Sequence, residues 1–413
     1  MQNITENYFD VIVVGGGAAG LIASITSARN GKKVLLLEKL SDVASKLKAT
    51  GGGKCNLTNT LSNEEFMSRF GRDGRFMTHA LERFNYQDLI KFFSEIGVDT
   101  HTLDGYRVFP VSHNSKSVID GLKQEIDKLN IKLITSSKVD AIKYDNAHIS
   151  GVSTAEINYY APKVIIATGG LGYPVLGATG DGLQMAKTCG HKITDLHPAM
   201  MPLHTKERWI NNCRADTIPK VTIKVDMPKH KNLKAVGDLI FTAHGIRGPV
   251  VLDFAREITP LLDKYGEVPI LINITKGMNE EQIRTHISKN SSKTILETIS
   301  ELLPISVATE LIKMAEINES EKCSKVAGLA RDNLIKLLVW TPLTITGHDG
   351  FKMAMITRGG VSLREINPRT MESKIIKGLY FCGEVVDLDG PCGGYNLQWS
   401  FASGYLAGML FTI

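Results

Sequence analysis

Residues 48 to 60 read KATGGGKCNLTNT, which sets an ammonium, a thiol and an amide directly behind three glycines. Glycine loses more backbone freedom on folding than any other residue, so a triplet points to a large group pressing close against the chain. Two roles are open to Cys55. It can be a thiol acid that protonates a reducible C=C bond opposite an incoming hydride. It can equally be a small side chain fitting beneath a planar ring, while Lys54 and Asn56 make the polar contacts. Other chemically able side chains also stand beside glycine turns: Tyr395, Asn396 and Gln398 in GGYNLQ, Arg358 in ITRGG, His244 and Arg247 in FTAHGIRG, and Cys392 in PCGG. Tyr395 suits ring stacking or plain core packing. Asn396 and Gln398 suit the polar edge of a ring or a helix cap. Arg358 suits an anionic substrate, a dinucleotide phosphate or a structural ion pair, and His244 with Arg247 suits closure over a substrate or an ordinary turn.

The first 40 residues show what would position these groups. FDVIVVGGGAAGLIASITSARNGKKVLLLEK predicts strand, glycine turn, helix, strand. The run Val11–Val14 is apolar and β-branched, as in a parallel strand buried on both faces. Gly15, Gly17 and Gly20, with Ala18 and Ala19 between, form GxGxxG. The first glycine makes the tight turn, the second admits a pyrophosphate to the backbone, and the third packs helix on strand. The helix N-terminus then faces the phosphates. Glu38, closing the second strand ahead of Lys39, is placed to accept ribose hydroxyls.

The remaining motifs select FAD over NAD. KVIIATGG places Thr168, Gly169 and Gly170 at the end of a further buried strand, and TGDG follows with Asp181. GLYFCGEVVDLDG carries Gly383, Glu384 and Asp387 near the C-terminus. Gly394, Asn396, Leu397 and Gln398 then open a last helix, whose N-terminal amides suit the flavin edge where negative charge collects on reduction. A plain NAD dehydrogenase has no use for this late glycine-rich return. With one credible GxGxxG, NAD(P)H is expected only as a transient visitor.

Composition excludes several classes. Of 413 residues, 43% are hydrophobic and 22% charged, as in a soluble globular protein. No stretch gives ~20 apolar residues, so no membrane span is expected. The polar N-terminus reads as neither signal nor transit peptide. Six scattered cysteines without a CxxC pair predict neither a metal site nor a disulfide framework, and fit a cytoplasmic location. Net charge is +5, and residues 206–247 alone hold nine Lys/Arg against four Asp/Glu. That window is either a solvated surface or a footprint for an anionic partner.

GGGAAG, GGGKCNLTN, ATGG…TGDG, FTAHGIRGPVVLD, MAMITRGGVSL, TMESKIIKGLYFCGEVVDLDG and GGYNLQWSFASG, in this order, resemble the BaiN/RdsA (YhiN-like) family of FAD-dependent oxidoreductases. The resemblance implies an α/β fold: a Rossmann-type FAD-binding domain of the two-dinucleotide-binding flavoprotein class, interrupted by an inserted β-barrel plus helical subdomain. It also implies FAD contacts from Gly51, Gly52, Gly53, Lys54, Cys55, Asn56 and Val139. Lys54 stands where the family motif more often has arginine, which weakens a bidentate phosphate role. Family activities include a ribosomal RNA dihydrouridine synthase, a bile-acid dienone reductase and an aminoacetone oxidase. The expected partner is therefore ribosomal RNA, through 206–247, or otherwise a small molecule; a non-catalytic flavin-bearing ribosome binder is a third class. Short strands after His191 and a helical period over 280–338 divide the chain. FAD-domain segments are expected at 1–191 and 351–413, a barrel at 192–275 and 339–350, and helices at 276–338.

Overall fold

The computed structural model describes residues 7–411 apart from Leu103. The chain forms two compact units, residues 1–197 with 356–413, and residues 198–355.

The first unit is built on a five-stranded parallel sheet. Its strand order is Leu379–Phe381, Val164–Ile166, Val11–Val14, Val34–Leu37, Lys132–Ile134. The inner strands are apolar at every position because both faces are covered, and Val11–Val14 and Val34–Leu37 are buried throughout. The helix Ala18–Arg29 is buried from Ala19 to Ser27, and so shows no polar face. Against it lies the last helix, Tyr395–Gly408, joined by small residues. A Cβ on Gly404 would sit 2.4 Å from the Ala19 carbonyl oxygen, and one on Gly408 2.5 Å from that of Ala23. Ser27 Oγ donates to the Gly408 carbonyl at 3.0 Å. These approaches bring the N-terminus of the last helix to the same end of the sheet as the first glycine turn. Two antiparallel three-stranded sheets complete the frame, Val139–Asp145 with His148–Thr154 and Asn158–Tyr160, and Thr58–Asn59 with Arg107–Pro110 and Thr100–Thr102.

The second unit holds a closed six-stranded antiparallel barrel. The strand order is Leu203–Thr205, Gly245–Arg247, Lys234–Phe241, Thr217–Val225, Val268–Asn273, Thr341–His348. Four helices, Glu280–Lys289, Ile295–Ser300, Ile305–Met314 and Gly328–Val339, answer the helical period, with Pro304 as the N-cap of the third.

The helices of residues 276–338 pack on the barrel, with Ile283, Ile295, Leu311 and Leu334 sharing one apolar core with the barrel's Ile223, Ile270 and Leu343. Two expectations need correction. The change of unit falls after His197 and again at Ile356, rather than at 191 and 351. Thr194 and Gly360 explain the shift, since the Thr194 amide donates to the Gly360 carbonyl at 2.9 Å and ties both chain ends to the first unit. Finally, GPVVLDFAR reads as strand but forms the start of the helix Pro249–Tyr265. Pro at the first helical position behind Gly248 (φ 110°) was its start signal, masked by the β-branched pair Val250 and Val251.

Candidate functional site

The first glycine turn divides its labour as the motif predicts. A Cβ on Gly15 would lie 2.7 Å from the Ala167 carbonyl oxygen, and one on Gly20 only 1.9 Å from that of Gly15. Neither position admits a side chain. Gly17, the helix N-cap, has no atom within 4 Å of where its Cβ would be. It faces open space at a helix N-terminus, where a pyrophosphate is favoured. Glu38 is buried and oriented by two backbone donors, Gly16 N at 2.7 Å and Leu40 N at 2.8 Å.

Gly15, Glu38, Lys39, Val139, Thr168 and Asp181 line a single cleft at the carboxyl ends of the strands, where open α/β sheets bind their ligands. The Thr168 hydroxyl oxygen there is buried and has no partner within the described residues. Lys39 is drawn across to Asp181 at 2.5 Å, and Lys138 approaches the same carboxylate at 3.3 Å. Burial opposes ionisation of Asp181, but hydrogen bonds from Lys39 and Thr179 prevail and hold its carboxyl below the ordinary range. Gly169 adopts φ 72°. At Gly170 a Cβ would meet Thr357 Oγ1 at 2.4 Å and Glu384 Oε1 at 3.1 Å. Glu384 accepts from Thr357 N at 2.8 Å and pairs with Lys46 Nζ at 2.5 Å. Lys46 belongs to no motif and nothing in the sequence singles out Thr357 within ITRGG, and only the folded chain shows their part.

The second glycine turn meets the last helix. Gly51, Gly52, Gly53 and Cys55 all adopt left-handed backbone, with φ 58°, 65°, 90° and 59°. The Asn56 amide, in the orientation that satisfies its neighbours, donates to the Thr58 carbonyl at 3.0 Å and accepts from Gly394 N at 3.1 Å. Asn59 Nδ2 donates to the Gly393 carbonyl at 3.0 Å. Lys54 is exposed. Cys55 is wholly buried, its thiol is pushed up to about 11 by that burial, and Thr50 is its hydrogen-bond partner. A thiol with no surface toward open space fits the space-filling reading better than proton donation.

Around the last helix several side chains have internal work. Asn396 accepts from Gly390 N at 2.8 Å and donates to the Gly390 carbonyl at 2.8 Å, fastening the preceding loop. Gln398 is buried and donates to the Phe84 carbonyl at 2.8 Å. Tyr395 packs in an aromatic group with Phe66, whose ring centre is 5.0 Å away, and Phe70 at 6.2 Å. Leu397 packs partly buried against the core. Gln398 Oε1 is left buried without a partner among the described residues, and the backbone amides at Gly394 and beyond add to what the helix start can offer a ligand.

Gly383 donates to Ser403 Oγ at 2.9 Å. Asp387, half-buried, has its carboxyl raised by burial and by Asp389 and Asp73, against the opposing pull of Thr194 and Arg358. Arg358 thus lies within electrostatic reach of Asp387. His244 is in the second unit, exposed on the turn between Lys234–Phe241 and Gly245–Arg247, where its carbonyl accepts from Thr205 N at 3.0 Å. Among the described residues no three His, Cys, Asp or Glu side chains gather as metal ligands. No helix among them is long and apolar enough to cross a membrane.

FAD fits this donor set. The open face at Gly17, the buried unpartnered hydroxyl of Thr168 and the acid closing the second strand sit along one end of the sheet. Comparison with known proteins agrees with the architecture. The family described as HI0933-like protein Rossmann domain matches residues 9–410. A 3-dehydro-bile acid delta(4,6)-reductase from Clostridium scindens is 31% identical, covering 96% of this chain and 97% of its own. A ribosomal RNA dihydrouridine synthase from Haemophilus influenzae is 30% identical, covering 97% and 98%. Among solved structures, a 3-ketosteroid delta1-dehydrogenase from Sterolibacterium denitrificans aligns with a TM-score of 0.55 at 12% identity, covering 98% of this chain and 99% of its own. That likeness is one of fold.

Proposed function

The chain belongs to the HI0933-like family of Rossmann-domain proteins and is a FAD-dependent oxidoreductase; on that premise we propose that it reduces the C5=C6 bond of a uridine in 23S ribosomal RNA, with NAD(P)H as electron donor. The observation that carries this reading is the near-complete coverage of two relatives whose names describe addition of hydrogen across a C=C bond. In uracil that bond is conjugated to the C4 carbonyl, so hydride adds at C6 and a proton at C5. FAD, when bound, supplies the hydride and is recharged by NAD(P)H.

The protein's own groups hold and orient. Gly17 leaves the backbone open to a pyrophosphate, and Glu38, aimed by Gly16 N and Leu40 N, would take the ribose. The amides at the start of the last helix would suit the electron-rich edge of the ring. For the proton at C5, Asp387 is the better candidate in the first unit, because its surroundings favour the protonated carboxyl at a higher pH than usual. Arg358 beside it is suited to an anionic portion of the substrate or of NAD(P)H.

The bile-acid relative supports a second reading, reduction of a small conjugated enone by the same hydride-and-proton addition. Mass spectrometry of rRNA nucleosides from cells with and without the gene separates the two. Loss of one dihydrouridine is expected, and an unchanged profile overturns the RNA reading. Anaerobic bleaching by NADH or NADPH, followed by reoxidation with substrate or O₂, tests the donor. It also exposes an amine oxidase, which O₂ alone would return to the oxidised state.

A further inference from the structure

The barrel's outer face carries charges whose placement costs stability. In the register of Thr217–Val225 against Lys234–Phe241, Lys224 stands directly opposite Lys234, and Thr222 opposite Val236. Inward positions Ile223 and Val225 are buried, so the two lysines point outward together. Like charges facing each other across an antiparallel pair are destabilising. Neither lysine, nor Lys220, Lys229 or Lys231, makes an ion pair within the described residues. The one acid within these two strands, Asp238, accepts from the Lys220 backbone N at 3.0 Å. Lys220 itself holds φ 53° where the register shifts between Ile218 and Val221. A bulge of this kind re-aims a side chain, and a non-glycine residue there stores backbone strain.

Two further features give the face a ligand's shape. Lys224 Nζ lies 3.6 Å from the centre of the Trp340 ring, which holds the long side chain in place before any partner arrives. A prearranged cation loses less entropy on binding. Val236, in the next row beyond the lysine pair, is 67% exposed. Cations flanking exposed apolar surface on an open sheet face are what a single strand of RNA uses, its phosphates on lysine and its bases on the apolar surface.

We propose that the outward face formed by Lys220, Lys224, Lys234, Val236 and Trp340 docks a single-stranded RNA segment, an inference that rests on the RNA reading given above. Phosphate at Lys224 and Lys234 relieves their mutual repulsion, so the same pair that weakens the free barrel strengthens the complex.

The test is the double variant Lys224→Thr/Lys234→Thr, with Lys224→Arg/Lys234→Arg as the charge-keeping control. Binding of labelled oligouridylate is followed by anisotropy across a NaCl series, with oligoglutamate as competitor. The threonine pair is expected to bind roughly tenfold more weakly at low salt and to flatten the salt slope by roughly 1.4, about 0.7 for each lost contact to a single strand. FAD content should hold and the thermal midpoint should not fall, because threonine favours strands and the repulsion is gone. The arginine pair should match wild type. An unchanged slope in the threonine pair overturns the docking surface, as does oligoglutamate competing as well as RNA. If rRNA is still modified in that case, the substrate reading stands and only the surface is wrong. If wild type neither binds RNA at low salt nor modifies it, both fail. Should the threonine pair misfold, crosslinking of 4-thiouridine RNA to wild type decides, with adducts expected on peptides holding residues 224, 234 or 340 and adducts elsewhere refuting the surface.

Discussion

The two glycine turns of the first unit look alike as strings, GGGAAG and GGGKCN, yet glycine is needed for opposite reasons. At Gly15 and Gly20 the chain leaves no volume for a Cβ, with carbonyl oxygens 2.7 and 1.9 Å from where it would stand. At Gly52 and Gly53 nothing lies within 4 Å, and the requirement is the left-handed backbone, φ 65° and 90°. The first turn is closed by packing and open only at Gly17. The second is open on its outer side and held by Asn56 and Gly394. The first pattern serves close packing, with Gly15 also at φ 104°, the second serves backbone geometry, and substitutions at Gly20 and Gly52 separate the two.

The largest effect is expected at Gly20. Gly20→Ala sets a methyl against the Gly15 carbonyl, so the helix must leave its strand at a cost of roughly 3 kcal/mol. Denaturant unfolding measures this, and a variant of wild-type stability would break the packing half of the comparison. Gly17→Val comes next. It should leave the apo fold intact by circular dichroism, because its site is open, yet yield a colourless protein that added FAD does not restore. A yellow Gly17→Val protein would show that the pyrophosphate passes elsewhere.

Gly52→Ala tests the second turn. The positive φ costs about 1 kcal/mol in the apoprotein. If the open side belongs to the cofactor, FAD should also dissociate faster, as read from the rise in free-flavin fluorescence. An unchanged release rate would leave backbone geometry as the whole reason for these glycines. Cys55→Ala should keep FAD, NAD(P)H oxidation and substrate reduction near wild-type rates, whereas removing a true proton donor would cost substrate reduction ~10²-fold.

The smallest effect is confined to alkaline pH. Burial raises the Cys55 thiol from 9.0 to about 11, so the folded state keeps this proton where the unfolded chain has begun to lose it. Its contribution is fully present below pH 9.0 and is lost as pH rises toward about 11. Cys55→Ala should therefore flatten the alkaline fall in stability while changing nothing in that slope at neutral pH, and an unaltered alkaline limb would refute the burial argument.

Much of the first unit is legible from local sequence. Val11–Val14, the glycine spacing and Glu38 announce strand, turn and acid because each depends on neighbours a few residues away. The barrel strands and the four helices beyond residue 280 are legible for the same reason. The helix Pro249–Tyr265 is less so, since Val250 and Val251 read as strand until Gly248 and Pro249 are weighed as a start signal. At the last helix, residue types suggested a polar array for a ring. The fold adds internal partners that no local pattern announces, Gly390 for Asn396, Phe84 for the Gln398 nitrogen and Phe66 for Tyr395.

What the sequence by itself determined is where the backbone turns, which strands are buried and where a dinucleotide can meet a helix N-terminus. Those properties follow from sterics and hydrophobic period along a short stretch. Only the tertiary structure decided which polar side chains remain available. A side chain's hydrogen-bond partners lie far along the chain, 338 residues apart for Lys46 and Glu384 and 314 for Gln398 and Phe84. The repulsion between Lys224 and Lys234 belongs to the same class, because it exists only in the strand register that sets them face to face.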